Sequence, residues 1–500
     1  MRLLFRGLVC DGASEPMRRA VLTENDRIVA VEPEIIGSAA ADKVYAFRDE
    51  IIAPGFIDVH GHSEMSLLSA PDGFSKRSQG FTGEIIGNCG LSVFPVTDRN
   101  AAHLRELYAK YPVSLNWRTL PEYQAELARR GVALRVWSLC GHNTLRAAVA
   151  GYEKETLSGA ELARMKELLD HTLRSGALGL SSGLLYVPGC FAPPGEIVEL
   201  MRVVAAHDKV YATHLRSEGD RLLESLTETL ECAAQAKLKR VQISHFKTAR
   251  KANWSKLDAA LELLEKYRRR GVDAHIDRYP YVESQTMLSV ILPPPFDRMG
   301  DTEITERLKD AEVRRQLTEG LRSKMSAADW ARLRLTGARS AAHRRFIGRH
   351  LNEIPGDPAE LCLEILRDDA NCATISAAGM SETNLGRILA QDFCMAGSDG
   401  NASGPDELYG NTHPRAFGTA AKFLRRLLDS GVSIGGSVRR LTALPAEFFH
   451  LDGAGRIASG NWADLTVFDP ETVDSDADFA SPARPARGIV LTALGGTVSV

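Results

Sequence analysis

Two histidines one residue apart, a cysteine, two more histidines and an aspartate carry the chemistry legible in this chain. His60 and His62 stand in PGFIDVHGH, Cys89 in EIIGNCG, His214 in VYATHLR, His245 in VQISH and Asp399 in MAGSDG. Each closes a short apolar run. A buried barrel strand ends at the rim of the barrel, where side chains distant in sequence can converge on one ion. His60 and His62 fall on the same side of a strand, since side chains alternate along it. Alone, such a pair is a weak signal. Four of the 13 histidines closing three separate strand-like runs form a stronger one. Gly61, between the first two, lets a neighbouring segment approach closely.

A lone buried cysteine is ordinarily a small apolar residue. That reading suits Cys10, Cys140, Cys232, Cys362, Cys372 and Cys394, while Cys190 sits in a Gly/Pro loop. Cys89 differs because Asn88 and Gly90 flank it at a strand end. A thiolate there is a soft, negative ligand able to touch two cations, and it favours zinc over magnesium or calcium. Asp399 in GSDG reads by itself as a turn residue capping the next helix. Beside four imidazoles it can instead hold a water and take its proton. The chemistry expected is hydrolysis of a carbonyl compound by activated water, with Asp399 as base and then acid. GLSSG, residues 179–183, fits the pattern of a serine nucleophile with Ser181 at its centre. A nucleophile elbow needs a helix after the serine, and LLYVPG is no helix start.

The elements that would position these residues alternate. RVWSLCGH, GALGLSSGL, KVYATHL and RVQISHF read as strands separated by helical patterns. Ser158 opens one helix with Glu161 in a capping box, and Gly176 follows its end. Leu257, Leu261 and Leu264 mark the buried stripe of another, opened by Ser255. A further helix is expected from Glu382 to Ala390. Strand–helix alternation of this length predicts an α/β protein, a (β/α)8 TIM-like barrel, over residues 54–454. An open doubly wound sheet would gather the polar residues at one crevice instead. Roughly nine strand-like runs follow residue 54 where about eight are needed, so either CATISAAG or the run ending at Asp399 is extra. Residues 1–53 and 455–500 are β-patterned, and neither end buries a sheet alone. They predict one small β-sandwich built from both termini. Residues 290–350 break the alternation as an inserted segment, with eight Lys/Arg against one Asp between Arg322 and Arg349. That pattern suits a solvated helical insert, or a basic lid over an anionic substrate.

Composition narrows the partners. The 500 residues are 44% hydrophobic and 25% charged, with net charge -3, which suits small molecules rather than nucleic acid. No apolar run reaches the roughly 18 residues of a membrane span. Eight scattered cysteines without a close pair, and no signal-peptide core, predict a cytoplasmic protein.

PGFIDVHGH, the His214/His245 pair and Asp399 resemble the amidohydrolase superfamily of metal-dependent barrels. GNCGLSVFP, GHNTLRAAVAG, GALGLSSGLLYVPG, HLRSEGD, ISHFK, DRYPY, MSETN, GSDG, THPRAFGT and GNWADLTVFDP narrow the likeness to the N-acyl-D-amino-acid deacylase (D-aminoacylase) family, collinear over nearly the whole chain. The resemblance implies Zn2+ held tightly by Cys89, His214 and His245. It implies a second, weaker metal position at His60, His62 and Asp399 with Cys89 as bridge, and Asp399 as the catalytic carboxylate. It also implies that Lys247, Tyr281, Ser284 and Arg415 hold the substrate carboxylate, with Tyr186 as a pocket wall. Tyr281 and Tyr186 equally suit core packing, and Lys247 a partner of Asp399. Ser63-Glu64 after HGH, and Arg278 before YPY, depart from the family pattern and leave side-chain preference open. D-stereochemistry comes from the resemblance alone. The competing readings are a cyclic-amide hydrolase of hydantoinase or dihydroorotase type, and a non-catalytic barrel scaffold. The absence of a bridging lysine in GALGLSSGL speaks against the first, and retention of all six donors against the second.

Overall fold

The protein is described by a computed structural model covering residues 1–33, 41–369, 372–404 and 413–499. Eight parallel strands form its centre. The first is Phe56–Asp58, the second Phe81–Ile86, and the third Arg135–Ser138 continuing into Cys140–Gly141. Then come Gly179–Gly183, Val210–His214, Arg240–Ile243, Asp273–Arg278 and Cys394–Ala396. Each pairs with the next in parallel. The ring closes where Val59 N–H donates to Ala396 at 3.2 Å and Gly61 bridges Gly400. This is a (β/α)8 barrel.

The extra strand-like run is CATISAAG. Thr374–Ala378 pairs antiparallel with Glu283–Met287 and Leu333–Gly337, outside the barrel. Helices Asp301–Arg307, Ala311–Lys324, Ala327–Arg332 and Pro358–Asp369 surround that small sheet. Leu288, Leu317, Leu335, Leu363 and Ile375 give it a core of its own. The inserted unit therefore runs from Glu283 to Ala378, between the seventh and eighth strands. Its basic stretch lies partly paired and partly in solvent. Arg322 meets Asp357 at 3.0 Å and Glu360 at 2.9 Å, while Arg339, Arg344, Arg345 and Arg349 are exposed.

Both chain ends enter one seven-stranded mixed sheet. Arg2–Val9 pairs antiparallel with Met17–Glu24 and parallel with Lys43–Pro54, and Leu465–Phe468 adds to the latter. Leu3, Phe5, Val21, Ile52, Leu465, Val467 and Leu491 form its core. Among the helices, Gly159–Arg174 carries the Ser158–Glu161 capping box. The helix with the leucine stripe begins at Leu257 after a 3-10 turn, Lys251–Lys256, so Ser255 lies inside that turn and does not cap the helix. Glu382–Leu389 is the helix before the last strand. Among the described residues, no helix is long and apolar enough to cross a membrane.

A buried ion cluster joins strands one, two and eight beneath the rim. Lys76, fully buried, donates to Asp58 at 2.7 Å, Ser398 Oγ at 2.8 Å and the Gly400 carbonyl at 3.0 Å, and lies 3.1 Å from Glu84. Burial pushes the Glu84 carboxyl up to about 7 against the pull of Lys76. Asp58 in turn accepts from the His60 and Ser398 backbone N–H groups at 3.1 and 2.9 Å. Lys76→Met would leave two carboxylates unpaired in the interior, which costs about 3–5 kcal/mol. Urea unfolding should show a loss of that size. Wild-type stability would contradict the structural role given to this cluster.

Candidate metal centre

The six residues singled out in the sequence gather at the C-terminal rim of the barrel. His60 and His62 follow the first strand, Cys89 the second, His214 ends the fifth, His245 follows the sixth and Asp399 the eighth. His60, Cys89, His245 and Asp399 offer ligand atoms that all lie within 4.8 Å of one another. Cys89 Sγ is 3.3 Å from His60 Nε2 and 3.5 Å from His245 Nε2. Asp399 Oδ1 is 3.5 Å from His60 Nε2 and 3.2 Å from His62 Nε2. The His214 ring meets the His245 ring edge-on, with centroids 4.5 Å apart.

Local structure explains how the turns hold. Cys89, His245 and Asp399 all sit in left-handed backbone, at φ 51°, 37° and 51°. Each such residue costs about 1–3 kcal/mol and persists only where its surroundings over-determine it. At Cys89 those surroundings are visible. Ser181 Oγ donates to the Gly87 carbonyl and accepts from Gly90 N–H at 3.0 Å, clamping the turn from both sides. Asn88 donates from its side chain to the Ile85 carbonyl at 2.9 Å. The serine of GLSSG is thus a buried clamp on the cysteine turn. Gly61 is also constrained, because a Cβ there would lie 1.6 Å from Glu84 Oε1.

Two carboxylates that the sequence reading passed over complete the site. Asp277, fully buried on the seventh strand, lies 3.1 Å from His60 Nδ1 and accepts from the His245 backbone N–H at 2.9 Å. Gln242 donates to its other oxygen. Glu218 Oε1 lies 2.8 Å from His245 Nδ1 and pairs with Lys247. Its Oε2 is 3.8 Å from His214 Nε2, and His214, Glu218 and His245 form a second group of mutually close ligand atoms. Both had a signal of position. Asp277 stands one residue before the end of a barrel strand, and Glu218 follows His214 by four residues in HLRSEGD.

The residues read as substrate contacts divide. Arg415 donates to Asp399 Oδ2 at 2.6 Å. Lys247 pairs with Glu218 and lies 2.9 Å from His245 Nδ1, so its carboxylate partner is Glu218 rather than Asp399. Tyr186 stands over His214, with ring centroids 5.0 Å apart, and its hydroxyl is 3.5 Å from Thr286 Oγ1. Ser284 lies in the insert sheet opposite Ala377. Tyr281 points elsewhere. Its ring packs on His413 at 5.7 Å and its hydroxyl lies beside Ser475 and Gly418. Of the two tyrosines in YPY, Tyr279 is the one beside the site: Arg415 lies 4.9 Å over its ring, and Arg278, Lys247 and Arg415 draw its hydroxyl below the ordinary range against the effect of burial. Thr412 of THPRAFGT lies outside the described residues.

Charge follows from this geometry. Burial resists ionisation of Cys89, yet His60 and His245 pull the thiol well below its usual range. Burial likewise resists ionisation of Asp399, and Arg415 with His62 overcomes it. Burial lowers His62, but Asp399 and Cys89 raise it to about 10. Such a cluster of thiolate, carboxylate and imidazole accepts a cation in place of protons. Its fit to a metal is independently marked by His214, a buried imidazole with neither ring nitrogen hydrogen-bonded among the described residues.

No family model matches the chain. Curated relatives do. An N-acyl-D-glutamate deacylase of Alcaligenes xylosoxydans xylosoxydans is 32% identical, covering 98% of this chain and 91% of the relative. A D-aminoacylase of the same organism is 32% identical, over 97% and 92%. The chain belongs to the N-acyl-D-amino-acid deacylase family. Solved deacylases agree in fold. The N-acyl-D-glutamate deacylase of Bordetella bronchiseptica, complexed with zinc and a phosphonate mimic of the tetrahedral intermediate, superposes with TM-score 0.81 at 28% identity, over 99% of this chain and 96% of that one. A D-aminoacylase described as defining a novel subset of amidohydrolases gives 0.80 at 30%, with the same coverage. Dihydropyrimidinase from Brevibacillus agri, at 14% identity, TM-score 0.56 and coverage of 100% and 95%, shares the fold alone.

In this deacylase the Asp277–His60 contact gives a direct test. Partners of this kind orient a ligating imidazole, and their loss typically weakens metal affinity about 10–100-fold. Asp277→Ala should show that loss when the protein competes with a chelator for metal. Unchanged affinity would mean that Asp277 serves the barrel alone.

Proposed function

We propose that this chain is a zinc-dependent N-acyl-D-amino-acid deacylase, cleaving a linear amide to a carboxylate and a free D-amino acid. The observation that carries the reading is the convergence of Cys89, four imidazoles and Asp399 at one rim, with the Arg415 guanidinium on the carboxylate. Family membership at 32% identity over nearly the full chain supports the substrate class. On this reading Cys89, His214 and His245 would hold the tight zinc, and His60, His62 and Asp399, with Cys89 as bridge, a second, weaker position. The donor set suits zinc, because thiolate and imidazole are its preferred ligands. Zinc, when bound, supplies an acidified water and polarises the scissile carbonyl.

The chain's own residues do the rest. Asp399 Oδ2 is held by Arg415, which leaves Oδ1 facing His60 and His62. Oδ1 accepts the water proton and returns it to the departing amide nitrogen. Arg415 presents further donors, its Nε being buried without a partner among the described residues, and Lys247 adds a point charge. Together they suit the substrate carboxylate, Arg as a two-pronged fork and Lys as a single cation. Tyr186, partly exposed above His214, forms a wall of the mouth.

The cyclic-amide reading has less support. The fourth strand, GLSSG, carries two serines and no lysine, and the likeness to a dihydropyrimidinase extends only to fold. Purified protein should contain zinc and hydrolyse N-acetyl-D-amino acids in preference to their L forms and to hydantoins. Hydantoin turnover without N-acetyl-amino-acid turnover would reverse the assignment. Asp399→Asn should keep the tight zinc and lose turnover by roughly a hundredfold or more, the scale of general acid–base help. Full activity in that variant would remove Asp399 from the mechanism.

A further inference from the structure

We propose that Glu218 is a positioning residue that fixes the ring proton of His245 on Nδ1 against competition from Lys247. The inference rests on the reading of His245 as a metal ligand through Nε2. That nitrogen is the one facing Cys89 Sγ, at 3.5 Å. The other, Nδ1, faces two groups at once: Glu218 Oε1 at 2.8 Å and Lys247 Nζ at 2.9 Å.

A neutral imidazole has one N–H and one lone pair, and only the lone pair can bind a metal. His245 must therefore carry its proton on Nδ1, which then needs an acceptor. An ammonium has three donors and no acceptor. Lys247 beside Nδ1 would by itself donate there and drive the ring proton to Nε2, the nitrogen meant for the metal. Glu218 resolves the conflict. One carboxylate oxygen takes both the Nδ1 proton and the Lys247 ammonium, since a carboxylate accepts at about four lone-pair positions. Its second oxygen stays near His214 Nε2 at 3.8 Å.

The arrangement is built in. Lys247 and His245 are two residues apart, and His245 is held at φ 37°. The segment after them is tied back to the Glu218 backbone, with Ala249 N–H donating to the Glu218 carbonyl at 2.8 Å. A substrate-binding cation can thus sit next to a ligating histidine only because an anion stands between their protons. Glu218 makes the clamp and the metal site compatible.

The test measures zinc affinity of metal-stripped protein against a competing chelator, with circular dichroism as the check on folding. Glu218→Ala should weaken zinc about 10–100-fold, the usual effect of losing a carboxylate partner of a ligating histidine. Glu218→Ala combined with Lys247→Met should recover most of that loss, because no ammonium remains to claim Nδ1. A merely structural role for Glu218 would give no such rescue. Glu218→Ala binding zinc as the wild type does, or a double variant no tighter than Glu218→Ala, overturns the proposal. If Glu218→Ala does not fold, Glu218→Gln with and without Lys247→Met is read in the same way, with a smaller initial loss because the amide oxygen still accepts. Wild-type protein that binds no zinc would instead defeat the metal reading itself, and this inference with it.

Discussion

A negative sulfur buried among imidazoles is the constraint around which the rest is arranged. Cys89 is 5% exposed, in left-handed backbone, and faces the Nε2 atoms of His60 and His245 from strands far apart in sequence. An isolated buried thiolate would be costly, so the positions of its neighbours are tightly set. His60 and His245 must turn the same nitrogen toward the sulfur. Their other nitrogens then need acceptors, and Asp277 and Glu218 supply them. Those carboxylates need donors of their own, found in Gln242, the His245 backbone and Lys247. The polar network is what one buried ligand requires once hydrogen bonding is followed to its end.

The strain points to the same place. Three of the six candidate donor residues occupy left-handed backbone, where a side chain is disfavoured. Each lies in the loop after a barrel strand, so the strand fixes where the chain emerges and the turn aims the side chain inward. Ser181 stabilises the turn at Cys89 from both sides. Below them, Lys76 with Asp58 and Glu84 ties the first, second and eighth strands together, which holds the two ends of the barrel ring under His60 and Asp399.

What the sequence disclosed was the part that follows from periodicity and position. Strand ends are readable because apolar runs stop at polar residues, so His60, His62, Cys89, His214, His245 and Asp399 stand out in the sequence itself. Glu218 and Asp277 did not stand out, because their significance lies in which nitrogen they face across the barrel. Tyr279 and Tyr281 look alike in YPY, yet the chain turns between them and sends one to Arg415 and the other to Ser475 and Gly418. Ser181 matched a nucleophile pattern by spacing, and its burial against Gly87 and Gly90 gives it a different task. CATISAAG has the alternation of a barrel strand. Only its pairing with Glu283–Met287 and Leu333–Gly337 assigns it to the insert.

Sulfur and imidazole nitrogen are proposed to bind one zinc. X-ray absorption at the zinc edge of the purified protein reads that directly. One sulfur at about 2.3 Å is expected together with nitrogen or oxygen ligands at about 2.0–2.2 Å, with loss of the sulfur shell in Cys89→Ser. Zinc bound through nitrogen and oxygen alone in the wild type would contradict it.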